Sequence, residues 1–315
     1  MMMKNIVCSV ISLLLIIACG QSYEEQKRMS RAERIRLARE DSAALKVAVM
    51  PTLDCLPMYV ARQYGLYEQL GVDVRLKYYT AQMDCDTAIV NRRVEGTVTD
   101  VVRAQRIAAA AMPLTYVAAT GAYWQLISNK NARIKNLKQF DDKMIAMSRL
   151  SATDLLSDYV ADSVGLSDER VFKVQINDVN IRLKMLENNM MDALWLAEPQ
   201  ATAARMAKHR VVLDSRKLDM WLGVIAFRKE LLADTARKKQ VDVFVKAYNM
   251  ACDSINKHGI RKYDKLISKY CGVSGDVVLS IPENIKYNHA AAPRNRDTEI
   301  ADKWLKTKEE HNGKE

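Results

Sequence analysis

From Leu45 onward, short apolar runs alternate with stretches whose apolar residues recur at helical spacing. Val47, Ala48 and Val49 read as a buried strand. A turn follows over 51–54. Leu56, Tyr59, Val60, Gln63 and Tyr64 then fit a helix ending at Gly65, a C′ glycine. Pro57 suits the first turn of that helix, where its missing N–H costs nothing. Residues 72–79 alternate with period two, a second strand, with 80–83 as its exit loop. A helix over 84–94 carries Asp84 and Asp86 in its first turn, where the helix dipole favours carboxylates. A very short strand over 96–100, a helix over 101–111 and a strand over 114–120 complete the block. Such strand–helix succession implies an α/β fold with a mostly parallel sheet covered on both faces. In open α/β sheets ligands bind outside the carboxyl ends of the strands. That rule places Thr52, Leu53, Asp54 and Cys55, just past the first strand, at a ligand site.

A second block of similar pattern begins near Asp142. Strands are expected over 143–147, 171–176, 192–197 and 210–213. Ser151-x-x-Asp154 is a variant capping box opening a helix that stops before Gly165. Ile181, Leu183, Lys184, Leu186 and Met190 fit a further helix, and Gln200 opens another. The chain returns through a strand over 221–227. From Lys229 it is mostly helical, with Ile300, Trp304 and Leu305 as the last apolar stripe.

The start of the chain is of another kind. Lys4 precedes an apolar run over 6–18, roughly a dozen residues and too short to span a bilayer as a relaxed helix. The run ends Ala18-Cys19-Gly20, which resembles the bacterial lipoprotein signal. That resemblance implies removal of 1–18, acylation of Cys19 with palmitate or a similar chain, and a periplasmic body tethered to the cell membrane. More than one acyl chain is needed for stable anchoring. Residues 19–44 are then a charged linker, able to form a solvated helix. The net charge of +10 is spread along all 315 residues, which does not favour a nucleic-acid partner, and export removes one. Cys55, Cys85, Cys252 and Cys271 remain in an oxidising compartment. Cys55 and Cys85 each fall at the start of a helix just after a strand end, so a Cys55–Cys85 disulfide is expected, with Cys252–Cys271 a weaker pair and buried thiols the alternative. No C-x-x-C spacing, nucleophile elbow, Walker loop or metal-binding His pair occurs, so no metal or cofactor is expected.

Several segments together resemble the type II periplasmic solute-binding proteins of ABC importers, in the nitrate/sulfonate/taurine and thiamine-precursor (SsuA/THI5-like) branch. They are Val49-Met-Pro51 and Leu56-Pro57-Met-Tyr-Val-Ala61; Tyr64-Gly65-Leu66-Tyr67 with Leu70-Gly71-Val72-Asp73-Val74; Val94-Glu95-Gly96 leading to Thr99-Asp100; Leu137 to Ala146; Asp192-Ala193-Leu194 with Glu198-Pro199; and the Trp221 to Arg228 return. The resemblance implies two α/β lobes around an interlobe cleft, with crossovers near 140–143 and 223–227. Lobe 1 would comprise 45–141 and 224–315, and lobe 2 would be 142–223. The implied ligand contacts are Thr52, Leu53, Asp54, Gln82, Met83, Thr99 and Asp100 from lobe 1, with Ser151, Ala152, Thr153, Glu198 and Trp221 from lobe 2. Plainer roles exist for some: Asp54 and Ser151 as helix caps, Trp221 as core, Met83 as gap filler. The implied function is not enzymatic. A monomeric, membrane-anchored binding protein would trap a small molecule by hinge closure and hand it to an ABC permease. A sensing module for a membrane receptor and a thiamine-pyrimidine-synthase-like enzyme are the alternatives.

Two arguments bear on the ligand. Helix N-termini at the cleft favour an anion. The loops, however, carry Asp54, Asp84, Asp100 and Glu198 and no Arg or Lys, with Arg103 and Arg149 the nearest cations. Repulsion on the order of several kcal/mol in a low dielectric then favours a neutral or cationic nitrogen heterocycle.

Overall fold

The computed structural model describes residues 30–110 and 112–312. The expectations for 1–18 and Cys19 lie outside the described residues. The segment up to Ala44 forms one unit and Leu45–Glu315 a second. Within the first, helix α1 (Arg31–Ala43) is capped by Ser30, whose Oγ accepts from the Glu33 amide at 3.1 Å. Arg36 pairs with Glu40 one turn on, and no α1 side chain is buried. Its Glu, Arg and Ala content stabilises the helix without tertiary packing.

The second unit holds two five-stranded sheets. In the first, β1 (Leu45–Val49), β2 (Val74–Tyr78), β3 (Gly96–Asp100) and β4 (Leu114–Ala119) are joined by a late strand, β10 (Gly223–Arg228). Their order is β2-β1-β3-β10-β4. In the second, β5 (Gln125–Ser128), β6 (Lys143–Met147), β7 (Val171–Gln175), β8 (Ala193–Leu196) and β9 (Arg210–Asp214) lie in the order β7-β6-β8-β5-β9. Helices α2 (Leu56–Gln63), α3 (Leu66–Gln69), α4 (Gln82–Val90) and α5 (Val101–Ala110) follow the strands of the first sheet. Helices α6 (Ala152–Ser163), α7 (Val179–Glu187) and α8 (Gln200–Met206) follow β6, β7 and β8. The closing block is α9 (Thr235–His258), α10 (Asp264–Cys271), α11 (Gly275–Leu279) and α12 (Asn295–Asn312). The two sheets and their helices form two α/β lobes with a cleft between them, the arrangement that the sequence resemblance implies.

Four of the five strands in each sheet share one direction, as the strand–helix succession implies, and a single strand opposes them: β10 runs antiparallel to β3 and β4, and β5 to β8 and β9. The connections depart from the sequence reading. The first passage between sheets lies between Ala119 and Gln125, not near 140–143, because β5 already belongs to the second sheet. The return lies between Asp214 and Gly223, just ahead of the expected 223–227, which is β10 itself. β5 was unpredicted because it is four residues long and wholly buried, so Gln125-Leu-Ile-Ser128 shows no alternation.

Around the first sheet, α9 buries Phe244, Tyr248, Ala251 and Ile255. Each large side chain contributes roughly 1.5–3 kcal/mol by leaving water. Phe227 of β10 meets Phe244 edge-on with centroids 5.2 Å apart. Gly96 makes room for that ring, since a Cβ there would come within 2.6 Å of it. A second core joins the second sheet to α5, α6 and α12. On α12, the Trp304 indole donates to Asp158 of α6 at 2.8 Å and Thr298 O accepts from Gln105 of α5 at 2.9 Å. The last helix therefore straps the two lobes together.

Candidate functional site

The carboxyl ends of β1 and β3 face those of β6 and β8 across a cavity of about 60 Å³. Thr52, Asp54, Gln82, Thr99 and Asp100 line it from the first lobe, and Ser151 and Thr153 from the second. These are seven of the sequence-derived positions. The cavity is shut by contacts between lobes. The Leu53 amide donates to Glu198 O at 2.9 Å, the Val179 amide to Thr80 O at 3.3 Å, and Gln200 Nε2 to Pro51 O at 2.8 Å.

Local sequence explains the geometry. Residues after β1 turn sharply through a 3-10 segment at Leu53–Cys55, aiming Asp54 at the cavity. The Thr52 and Thr120 hydroxyls and the Cys55 amide lie near enough to favour the charged form of Asp54, yet burial outweighs them and pushes its carboxyl up. Ser151 is the N-cap of α6: its Oγ accepts from the Thr153 amide at 3.1 Å and donates to Ser148 O at 2.6 Å. The next amide, Ala152, approaches Asp100 across the cleft and favours its charged form. Asp100 also accepts from the Arg103 amide at 3.0 Å, while the Arg103 guanidinium ion-pairs with Asp86 and lies 3.7 Å from Asp100. Burial nevertheless raises the Asp100 carboxyl to about 6.

The other named positions lie elsewhere. Leu53 and Glu198 border a smaller adjoining cavity of about 30 Å³. Glu198 is turned away from the chamber, accepting from Arg205 at 2.7 Å and from Thr202 Oγ1 at 2.6 Å. Ala152 presents only its amide. Met83 is 46% exposed at the rim, where its sulfur accepts from Asn177 Nδ2 at 3.7 Å. Trp221 lines a separate groove of about 500 Å³ beside the two crossovers, and its indole donates to Asp219 at 3.2 Å. Cys55 and Cys85 are free buried thiols, as are Cys252 and Cys271. Cys55 Sγ accepts from the Met50 amide at 3.3 Å and Cys85 bonds the Thr97 hydroxyl, so the two thiols have separate neighbours and the expected disulfide is not formed. Burial raises both thiols, which makes them inert.

Arg182 was not foreseen. It is 4% exposed, lines the chamber from α7, and donates to Trp195 O at 3.0 Å and Ser148 Oγ at 3.3 Å. No ion pair joins it to a carboxylate among the described residues, and its Nε has no acceptor. Burial and the nearby Arg103 lower its pKa to about 10. The Thr99 hydroxyl, also lining the chamber, is likewise without a partner. Buried polar groups left so call for a ligand or water. The sequence signal was present: Arg182 and Leu186 are the buried face of α7, whereas Ile181 and Met190, read as fitting the same helix, are 51% and 58% exposed. Arg149, named as a possible cation, is exposed.

Residues 52–259 match the family described as NMT1/THI5 like. The chain belongs to this family. No functionally curated protein matches it in sequence. Among solved structures, the alkanesulfonate-binding protein SsuA from Xanthomonas axonopodis pv. citri, bound to MOPS, superposes with a TM-score of 0.71 at 16% identity, covering 84% of this chain and 92% of that one. A ligand-binding component of an ABC-type import system from Staphylococcus aureus, with zinc bound, gives 0.69 at 17% identity, covering 82% and 89%. The nitrate-binding protein NrtA from Synechocystis PCC 6803 gives 0.67 at 12% identity, covering 78% and 73%. At these identities the likeness establishes the NMT1/THI5-like chain's fold.

Proposed function

We propose that the protein is the solute-binding component of an ABC importer, held at the membrane by a lipid on Cys19, and that its two lobes close on a small ligand bearing an anionic group. The observation that carries this reading is Arg182, a buried guanidinium without a carboxylate, facing a chamber between lobes. Thr52, Asp54, Gln82, Thr99, Asp100, Ser151 and Thr153 form the remaining polar wall. Structural neighbours support the role: one described as the ligand-binding component of an ABC-type import system, one an alkanesulfonate-binding protein bound to MOPS, and one named for nitrate. Closure excludes water and strengthens the Arg182–anion contact.

A neutral or cationic nitrogen heterocycle is the second reading, because Asp54 and Trp124 line the same chamber. It rested on the absence of cations from the loops, and Arg182 reaches the chamber from a helix instead. Calorimetric titration with short sulfonates, phosphonates and carboxylates, against a set of pyrimidines, separates the two. Anion binding that is lost in Arg182→Gln is expected. Pyrimidine binding alone, or anion binding indifferent to Arg182→Gln, refutes the proposal.

A further inference from the structure

The chamber carries an uncompensated charge of each sign on opposite lobes. On the second lobe is Arg182, whose partners, Trp195 O and Ser148 Oγ, are both neutral. On the first is Asp54. The side chains that steady its negative form, Thr52 and Thr120, are neutral hydroxyls. No ion pair joins Asp54 to a cation among the described residues. The other ionic groups at the chamber are already matched. Asp100 is held by the Arg103 amide and guanidinium and by the Ala152 amide, and Arg103 by Asp86 and Asp100. An anion placed at the start of α6 would displace Asp100, so Arg182 is the free anion position.

Resting on the anion reading above, we infer that the ligand is a short zwitterion, with its ammonium on Asp54 and its acid group on Arg182. Burying one unpaired charge costs far more than burying a matched pair. A simple anion would satisfy Arg182 but, as a second negative charge beside Asp54, would drive that carboxyl to take up a proton at a further cost. A simple cation would leave Arg182 unmatched. A ligand with both charges neutralises the two walls together without that cost, and it does so only when the lobes are closed. The size agrees. At roughly 10–15 Å³ per water-sized body, the chamber accepts roughly four to six such bodies, the scale of an amino acid with little or no side chain.

The test pairs each zwitterion with its amino-free counterpart on the full mature chain: glycine with acetate, β-alanine with propionate, aminomethanesulfonate with methanesulfonate, and aminomethylphosphonate with methylphosphonate. In titration calorimetry, at least one zwitterion is expected to bind about tenfold or more tightly than its counterpart. Asp54→Asn should bring that pair to near equality. If the variant does not fold, the wild-type ratio decides alone. An amino-free anion that binds as tightly as its zwitterion overturns the inference while leaving the anion reading standing. Absence of binding across all pairs overturns both.

Discussion

Gln200 offers the sharpest test of lobe closure. Its side chain is 1% exposed at the start of α8 and donates to Pro51 O on the opposite lobe at 2.8 Å, with longer contacts to Asn180 Oδ1 at 3.4 Å and Cys271 O at 3.5 Å. These bonds to the first lobe exist only while the lobes are shut. In an open form water would satisfy both the amide and the carbonyl. Gln200→Ala therefore acts on the closing equilibrium. Losing one well-formed bond costs about 0.5–1.5 kcal/mol net, and leaving Pro51 O buried without a donor raises this to about 1–3 kcal/mol. Closing and binding are linked, so apparent affinity should fall by roughly 5- to 150-fold. Titration calorimetry with the ligand found by screening reads the affinity, and small-angle scattering reads the shape with and without it. The variant should need more ligand to reach the compact form. Affinity within twofold of wild type, with the loss appearing instead as a lower melting temperature of the ligand-free protein, would show that Gln200 is ordinary core and that closure does not run through it.

Other expectations follow from the same geometry. Burial raises the Asp100 carboxyl to about 6, so the folded form holds that proton more tightly than the unfolded chain. Its contribution to stability is full below about pH 4 and is lost as pH climbs through about 6. Urea midpoints of wild type minus Asp100→Asn should fall across that window, and a flat difference would contradict it. Ser151→Ala removes the cap of α6 and should destabilise by about 0.5–2 kcal/mol, seen as an earlier urea midpoint; no change would mean that Thr153 or water replaces the cap. Metabolic palmitate labelling should disappear in Cys19→Ser, and labelling that persists would remove the proposed anchor.

Much of the fold could be read in the sequence because buried strands here are short apolar runs closed by turn residues. Lys143–Met147 and Gly96–Asp100 were foreseen in that way. The reversal of β10 was not legible, since it pairs antiparallel with strands more than a hundred positions earlier, and nothing local records that. Thr52 and Asp54 were reached by the rule that ligands sit at the carboxyl ends of strands, and Gln82, Thr99, Asp100, Ser151 and Thr153 by the family resemblance. Arg182 escaped that rule because a long side chain from the first turn of a helix can enter a site that its backbone does not line. Glu198 was overread for the opposite reason. It follows a strand and bears a charge, but Arg205 and Thr202, on the next turns of α8, claim its carboxylate.

If the protein serves an importer as proposed, the approach of Asp100 to the Ala152 amide has a consequence. A carboxylate of the protein's own already sits where cargo would draw the second lobe in, so the shut shape is reachable with nothing inside. A permease that recognises only that shape would then accept idle deliveries, each able to trigger a round of ATP hydrolysis that moves no solute. How often this happens depends on how far genuine cargo outcompetes the internal carboxylate. Transport stoichiometry in reconstituted vesicles should accordingly tighten towards its limit as cargo concentration rises.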